Sequence, residues 1–230
     1  ARYRGVWVPL PTPFQGEELD LAPLPQLVEW LLERGIGGFL ALGTTGEWPH
    51  TSDAEAEAVV RTVVAAVRGR VPVLAGSGRA STAATIALGA RLAAAGADGL
   101  MVLTPHAYRG RMDATAWRGY YAAVAAAAPV PVFVYHMPGL TGLDLQPELL
   151  GELLGIANVQ GFKDSSTEGG PLASALSGAR TLGFVGAGPR LLDGLVAGAV
   201  GGILAIANLV PECCAGIFAA HAGSELYAEV

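Results

Sequence analysis

The chain has 230 residues, 52% of them hydrophobic and 15% charged, with a formal net charge of −6. This length suits a single domain spanning 1–230 with a large core, and an acidic balance without any block of arginines excludes a phosphate-tracking nucleic-acid surface. The longest run without Asp, Glu, Lys, Arg or His, 194–211, is broken by glycines and Asn208 and falls short of the about 20 apolar residues that span a bilayer. No basic stretch followed by an apolar one opens the chain, so neither secretion nor membrane insertion is expected and the cytoplasm is the default compartment.

In chain order, short β-prone runs alternate with Ala/Leu-rich stretches of helical character. The runs are 6–10, 38–43, 72–76, 99–104, 131–136, 159–165, 181–186 and 202–207. Helical stretches open on cap-forming residues at Thr51-Ser52-Asp53, Ser81-Thr82 and Asp113 and close on Gly35, Gly69 and Gly96. Strict alternation of strand and helix implies parallel strands joined by crossovers, and eight such units in this length predict a closed (β/α)₈ barrel, an α/β TIM barrel. The alternative, an open doubly wound sheet, lacks its dinucleotide fingerprint, because neither GSGRAST nor GAGPRLL completes G-x-G-x-x-G. Cys213 and Cys214 have no partners at zinc-ligand spacing and read as small buried residues of a late helix; the four histidines are scattered, and no metal is expected.

In a barrel of this kind, chemistry sits at the C-terminal ends of the strands. The sixth predicted strand, VQGFKDS, carries Lys163, the only lysine among 14 cationic side chains. Alternation puts Val159, Gly161 and Lys163 on the inner face and Phe162 on the helix-facing side. Burial disfavours the charged ammonium, and a neutral amine is a nucleophile; arginine stays protonated and cannot form an imine, which accounts for one lysine in a chain that otherwise uses arginine. The fifth strand ends with Tyr135 on the face of Phe133, where a phenol can move protons beside that amine. The second runs into GTTGE, whose Thr44, Thr45 and Gly46 combine two hydroxyls with a glycine turn offering backbone N–H groups to a carboxylate or oxyanion.

These motifs, GTTGE, LAGSG, GADGLMVLTP, YHMPGLTG and GFKDSS in this order, resemble the dihydrodipicolinate synthase and N-acetylneuraminate lyase superfamily from about Gly5 onward. The resemblance implies a pyruvate-dependent class I aldolase on a (β/α)₈ barrel, commonly a homotetramer, with no cofactor beyond the covalent imine at Lys163. It gives Tyr135 the proton-shuttling phenol, Thr44 the hydroxyl relay, and Thr45 with its neighbouring backbone, including Gly46, the pyruvyl carboxylate. Within the superfamily, TPHAYRGRM, TGLDL and GAVGGILAIAN look most like the 4-hydroxy-2-oxoglutarate aldolases. Dihydrodipicolinate synthases carry an arginine where this chain has Leu140, and the tyrosine lent to a neighbouring subunit falls at Ala107, with Tyr108 one position on. Further C-terminal helices are part of the family pattern, and at Val230 that extension is expected to be absent or truncated.

The expected activity is therefore reversible aldol cleavage of a 4-hydroxy-2-oxo acid, with Ser165, Gly186 and Arg109 or Arg111 toward the distal end of the substrate. Dihydrodipicolinate synthesis, 2-keto-3-deoxy sugar acid cleavage and a pyruvate-binding barrel without turnover are the alternatives.

Overall fold

The computed structural model describes residues 2–167 and 181–228, with side chains to residue 223. Eight parallel strands close into a barrel: β1 (Gly5–Pro9), β4 (Gly38–Ala41), β5 (Val73–Gly76), β6 (Gly99–Leu103), β7 (Val132–His136), β8 (Val159–Asp164), β9 (Leu182–Val185) and β10 (Gly201–Ile203). All eight predicted strands are present. A small antiparallel hairpin, β2 (Phe14–Gln15) and β3 (Glu18–Leu19), follows β1 and was not expected from the periodicity. The last predicted strand ends early, because 205–208 turn into a 3₁₀ helix rather than continuing β10.

The outer layer is helical: α1 (Leu24–Leu32), α2 (Asp53–Val67), α3 (Thr82–Ala94), α4 (Ala114–Ala127), the short α5 (Pro138–Thr141), α6 (Pro147–Leu154), α7 (Leu191–Val196) and α8 (Pro211–Ala228). The expected caps form. Ser52 makes a full capping box with Glu55, and Ser81 and Asp113 accept from the backbone of Ala84 and Ala116. Most of the helical stretch expected between β8 and β9 lies outside the described residues. Among the described residues no helix is long and apolar enough to cross a membrane. Of the two cysteines expected to be buried in the late helix, only Cys214 is; Cys213 is exposed, because adjacent positions of a helix point about 100° apart and cannot both face the barrel.

Two apolar layers follow from strand alternation. Outward-facing Val8, Phe39, Val73, Val134 and Phe162 pack under the helices, while inward-facing Trp7, Leu40, Leu74, Met101, Phe133 and Phe184 fill the barrel. Gly38 is required for this filling, since a Cβ there would collide with the Trp7 ring. Tyr3 lies before β1 and plugs the N-terminal end, its ring centroid 5.4 Å from Phe133 and 6.0 Å from Trp7. Each such side chain contributes about 1.5–3 kcal/mol by leaving water. The filled floor leaves the opposite end, where the strands finish, as the place for a site.

One inward assignment is corrected. Val159 belongs to the outer layer together with Phe162, not to the face of Lys163. The pairing of β7 with β8 is irregular between Val132 and Phe133, which pair with Val159 and Gly161, so Gln160 is skipped and the alternation shifts. Beyond that irregularity, Gly161 and Lys163 face inward as expected.

Candidate active site at the C-terminal mouth of the barrel

Tyr135 and Lys163 are register partners on adjacent strands, so their side chains enter the barrel side by side. Lys163 is only 4% exposed. Its Nζ donates to the Tyr135 hydroxyl at 3.2 Å and lies 4.3 Å from that ring's centroid. The Thr44 Oγ1 stands 3.1 Å from the same hydroxyl, on the turn that follows β4. Three groups from three separate strand ends thus meet at one phenolic oxygen.

Burial alone pushes the Tyr135 phenol up; the Lys163 charge, hydrogen bonds from Thr44 and Lys163, and the nearby Ser165 hydroxyl outweigh it, and the phenol is held below its ordinary value. A phenol in this state gives up and recovers a proton more readily than a tyrosine in water, as proton transfer beside an amine demands. Met137, two positions past Tyr135 and on the same face, receives the Tyr135 hydroxyl at 3.0 Å and the Thr44 hydroxyl at 3.5 Å. A thioether is a weak acceptor, so the phenolic proton is loosely held. Met137 was not singled out in the sequence, although the i, i+2 spacing from Tyr135 carries the signal.

The turn after β4 is built under backbone constraint. Leu42 has φ 57° and Glu47 φ 52°, left-handed conformations that L-residues adopt at a cost of about 1–2 kcal/mol each. The buried Leu42 side chain, packed in the outer layer, holds the first of these in place. Between them Thr44 and Thr45 are half-buried, and their N–H groups donate to no backbone carbonyl among the described residues. Gly46 differs from expectation: its N–H is donated to Gly43 O at 3.0 Å and is not available to a carboxylate. Its glycine identity has a packing cause, since a Cβ would stand 2.9 Å from Leu10 O.

Ser165 follows β8 beyond Lys163, its N–H bonded to His136 O at 2.9 Å. Its hydroxyl is buried and, despite its influence on Tyr135, makes no hydrogen bond of ordinary geometry among the described residues, so it is free for a substrate oxygen. Gly186, at the end of β9, is needed beside it, because a side chain there would overlap the Ser165 hydroxyl. Leu140 lies on α5, directly above the end of β7, and is 42% exposed. Arg109 and Arg111 are exposed on the 3₁₀ turn after β6, and the Arg109 guanidinium reaches the backbone of Gly142, two residues from Leu140, where a Cβ would meet it at 3.4 Å. Ala107 and Tyr108 precede that turn, and Tyr108 is 78% exposed.

A cleft of about 300 Å³ lined by Trp48, Arg79, Leu103, Thr104 and His106 opens beside the mouth, and a narrow extension along Trp48 and Leu103 reaches Thr44 and Tyr135. Arg79 is occupied there by Asp53 and by the carbonyls of Trp48 and Thr51.

The sequence profile described as the Dihydrodipicolinate synthetase family matches residues 2–229. An uncharacterized DapA-like lyase of Halobacterium salinarum is 39% identical over 219 residues, covering 94% of this chain and 71% of its own. A 4-hydroxy-tetrahydrodipicolinate synthase of Thermomicrobium roseum is 37% identical, covering 92% and 70%. Among solved structures, the chloride-inhibited dihydrodipicolinate synthase from Acinetobacter baumannii complexed with pyruvate superposes with a TM-score of 0.91 at 28% identity, covering 96% of this chain and 76% of that one. A prophage protein of the dihydrodipicolinic acid synthase family from E. coli K12, in complex with pyruvate, gives 0.89 at 29% identity, covering 97% and 79%. A closed parallel barrel, an amine and a phenol paired at its mouth, and likeness along nearly the whole chain converge on one conclusion: the chain belongs to the dihydrodipicolinate synthetase family and is a lyase.

Proposed function

We propose that this chain is a class I, pyruvate-dependent aldolase that reversibly cleaves a 4-hydroxy-2-oxo acid such as 4-hydroxy-2-oxoglutarate. The observation that carries this reading is the 3.2 Å contact between a buried lysine amine and a phenol whose proton is already loosened. Lys163 adds to the C2 carbonyl of the substrate, and Tyr135 gives the carbinolamine oxygen the proton it needs to leave as water. In the resulting iminium the C3–C4 bond breaks with its electron pair flowing to nitrogen, while the C4 hydroxyl proton passes to Tyr135 and the aldehyde departs. Protonation of the enamine at C3 and hydrolysis then return pyruvate and the free amine. Thr44 keeps the phenol aimed between these positions; Thr45, whose N–H meets no backbone acceptor among the described residues, provides hydrogen bonds for the pyruvyl carboxylate, and Ser165 serves the distal end of the substrate. No cofactor takes part beyond the imine, and the working form is a homo-oligomer, a tetramer by family likeness.

Pyruvate followed by borohydride therefore adds one reduced adduct, read as a single mass increment. A lysine-specific protease, which cuts the denatured chain once after Lys163, then fails to cut it. Unchanged mass and continued cutting would overturn the imine chemistry.

A second reading, dihydrodipicolinate synthesis, is favoured by the names of the curated relatives and by Arg109 lying against the segment that carries Leu140. Against it, a leucine at position 140 removes a charge-assisted contact to the second carboxylate, worth about 1.5–3 kcal/mol or roughly ten- to a hundredfold in selectivity. Condensation of pyruvate with glyoxylate, aspartate semialdehyde and glyceraldehyde separates the readings. Glyoxylate is expected to lead; preference for aspartate semialdehyde, lost in Arg109→Ala, would give the second reading precedence.

A further inference from the structure

One residue past each of the paired side chains, β7 and β8 carry His136 and Asp164, themselves register partners. Alternation turns both away from the barrel interior, onto the face where Val134 and Phe162 pack against helices. Both are buried, yet they make a polar network rather than an apolar contact. The His136 Nδ1 is 2.9 Å from Asp164 Oδ1, while Nε2 is 3.1 Å from the Leu145 backbone nitrogen and 3.1 Å from Asp144 Oδ1. Asp164 also receives the Ser166 N–H at 2.9 Å and the Ser166 hydroxyl at 3.0 Å.

A backbone N–H can only donate, so the Leu145 bond requires a lone pair on Nε2; the nearby Asp144 carboxylate is then a close neighbour and not a hydrogen-bond partner of that nitrogen, and the ring proton sits on Nδ1, directed at Asp164. Asp164 then collects three donors. Burial works against its charge, but the hydrogen bonds from His136 and Ser166 hold the carboxyl below its usual range. A buried charged network of this kind is weak evidence for stability, because apolar residues of similar volume commonly serve the fold as well. Its distinguishing feature is where it sits: on the reverse side of the same two strand ends that present Tyr135 and Lys163. The adjoining backbone is tied in as well, with Ser165 N–H on His136 O at 2.9 Å and Gly186 N–H on Asp164 O at 2.7 Å.

We propose that His136 and Asp164 are positioning residues for the reaction: their hydrogen bond clamps the ends of β7 and β8 in the register that sets the Lys163 amine against the Tyr135 phenol. Through Nε2, His136 extends this clamp to the segment 144–145 that leads into α6. Neither residue reaches the substrate, since both face away from the barrel interior. The inference rests on the imine-forming role of Lys163, and its test keeps the two apart.

Three variants serve. His136→Asn retains a donor near the position of Nδ1, His136→Phe retains only ring volume, and Asp164→Leu is close in shape but accepts no hydrogen bond. Two readouts follow: the rate at which pyruvate and borohydride trap the imine, and the titration of the Tyr135 phenol by ultraviolet difference absorbance, which needs no catalysis. If the clamp positions the pair, His136→Phe and Asp164→Leu slow trapping about ten- to a hundredfold, with kcat falling more than KM for pyruvate changes. In both, Tyr135 titrates at higher pH because the amine no longer sits beside it, and His136→Asn recovers most of the loss. Unaltered trapping and an unmoved phenol in folded Asp164→Leu would overturn the proposal, as would a His136→Asn variant no better than His136→Phe. Should either apolar variant fail to fold, the other decides alone. Absence of any adduct in the unmodified protein would instead remove the imine reading, and the phenol titration would still judge the clamp.

Discussion

Tyr3 and Tyr135 occupy opposite ends of one barrel, belong to the same inner cluster and are both buried, yet their phenols are displaced in opposite directions. Burial pushes Tyr3 up, with Arg2 opposing and Asp98 reinforcing; its hydroxyl donates to Asp98 O at 3.0 Å on the floor of the barrel. For Tyr135 burial acts in the same sense but is overcome by the Lys163 charge and by hydrogen bonds to its oxygen. Removal from water is common to both; the adjacent amine is what distinguishes the lowered phenol from the raised one.

Replacing Lys163 is the strongest way to break this contrast. Lys163→Met is expected to reduce turnover to background and to raise the Tyr135 titration until it resembles that of Tyr3. Lys163→Arg separates the two roles, since it keeps a cation beside the phenol but cannot form an imine; turnover is lost while Tyr135 stays lowered. Ultraviolet titration can follow this as a difference against Tyr135→Phe, which cancels the five other tyrosines, among them Tyr3, Tyr120 and Tyr121, all raised, Tyr120 to about 12. An Arg variant in which Tyr135 rises as far as in the Met variant would show that the charge is not the cause.

Tyr135→Phe keeps the ring and removes the hydroxyl. Turnover should drop about 10²-fold or more, in line with loss of a general acid–base, and the lowest tyrosine titration step should vanish with it. Retention of that step would mean that it belongs to another tyrosine.

Thr44→Val removes one uncharged hydrogen bond from the phenol. The expected loss is about 0.5–1.5 kcal/mol, or roughly two- to tenfold in kcat/KM, with an upward movement of Tyr135 smaller than in Lys163→Met. An equal movement would rank the hydroxyl with the amine.

The smallest effect belongs to the floor. Tyr3→Phe gives up the bond to Asp98 O and should lower stability by about 1 kcal/mol in thermal or urea unfolding, with activity unchanged. Because the folded state raises the Tyr3 phenol, its favourable contribution is complete below the unfolded value near 10 and fades as pH rises through the folded one. The stability gap between Tyr3→Phe and the unmodified chain should therefore narrow at alkaline pH; a constant gap would remove the phenol from the account.

Much of this contrast was legible in the residues. Tyr135 shares a strand face with Phe133, Lys163 with Gly161, and both strands end where barrel chemistry sits, so the amine and phenol could be placed together before any coordinates. The caps at Ser52, Ser81 and Asp113 were equally local, each needing only the next turn of its own helix. By contrast, Gly46 read as an anion-binding turn residue, and its amide proved to be spent on Gly43, a matter of how a six-residue turn folds on itself. Leu42 carries no sequence sign of its left-handed backbone, since leucine is not a residue that prefers it.

What the sequence by itself determined is whatever depends on short-range periodicity and on the chemistry of single residue types: eight strands in alternation with helices, an inner and an outer face on each, and one primary amine side chain among thirteen guanidinium groups. These follow from backbone geometry with a repeat of two or 3.6 residues, which neighbours in the chain suffice to express. Only the tertiary structure decided that Val159 turns outward, that Thr44 meets the Tyr135 oxygen, and that His136 and Asp164 join behind Tyr135 and Lys163. A single skipped residue in the β7–β8 pairing reverses faces, and contacts across 28 to 93 positions depend on barrel closure, for which no local pattern carries the register.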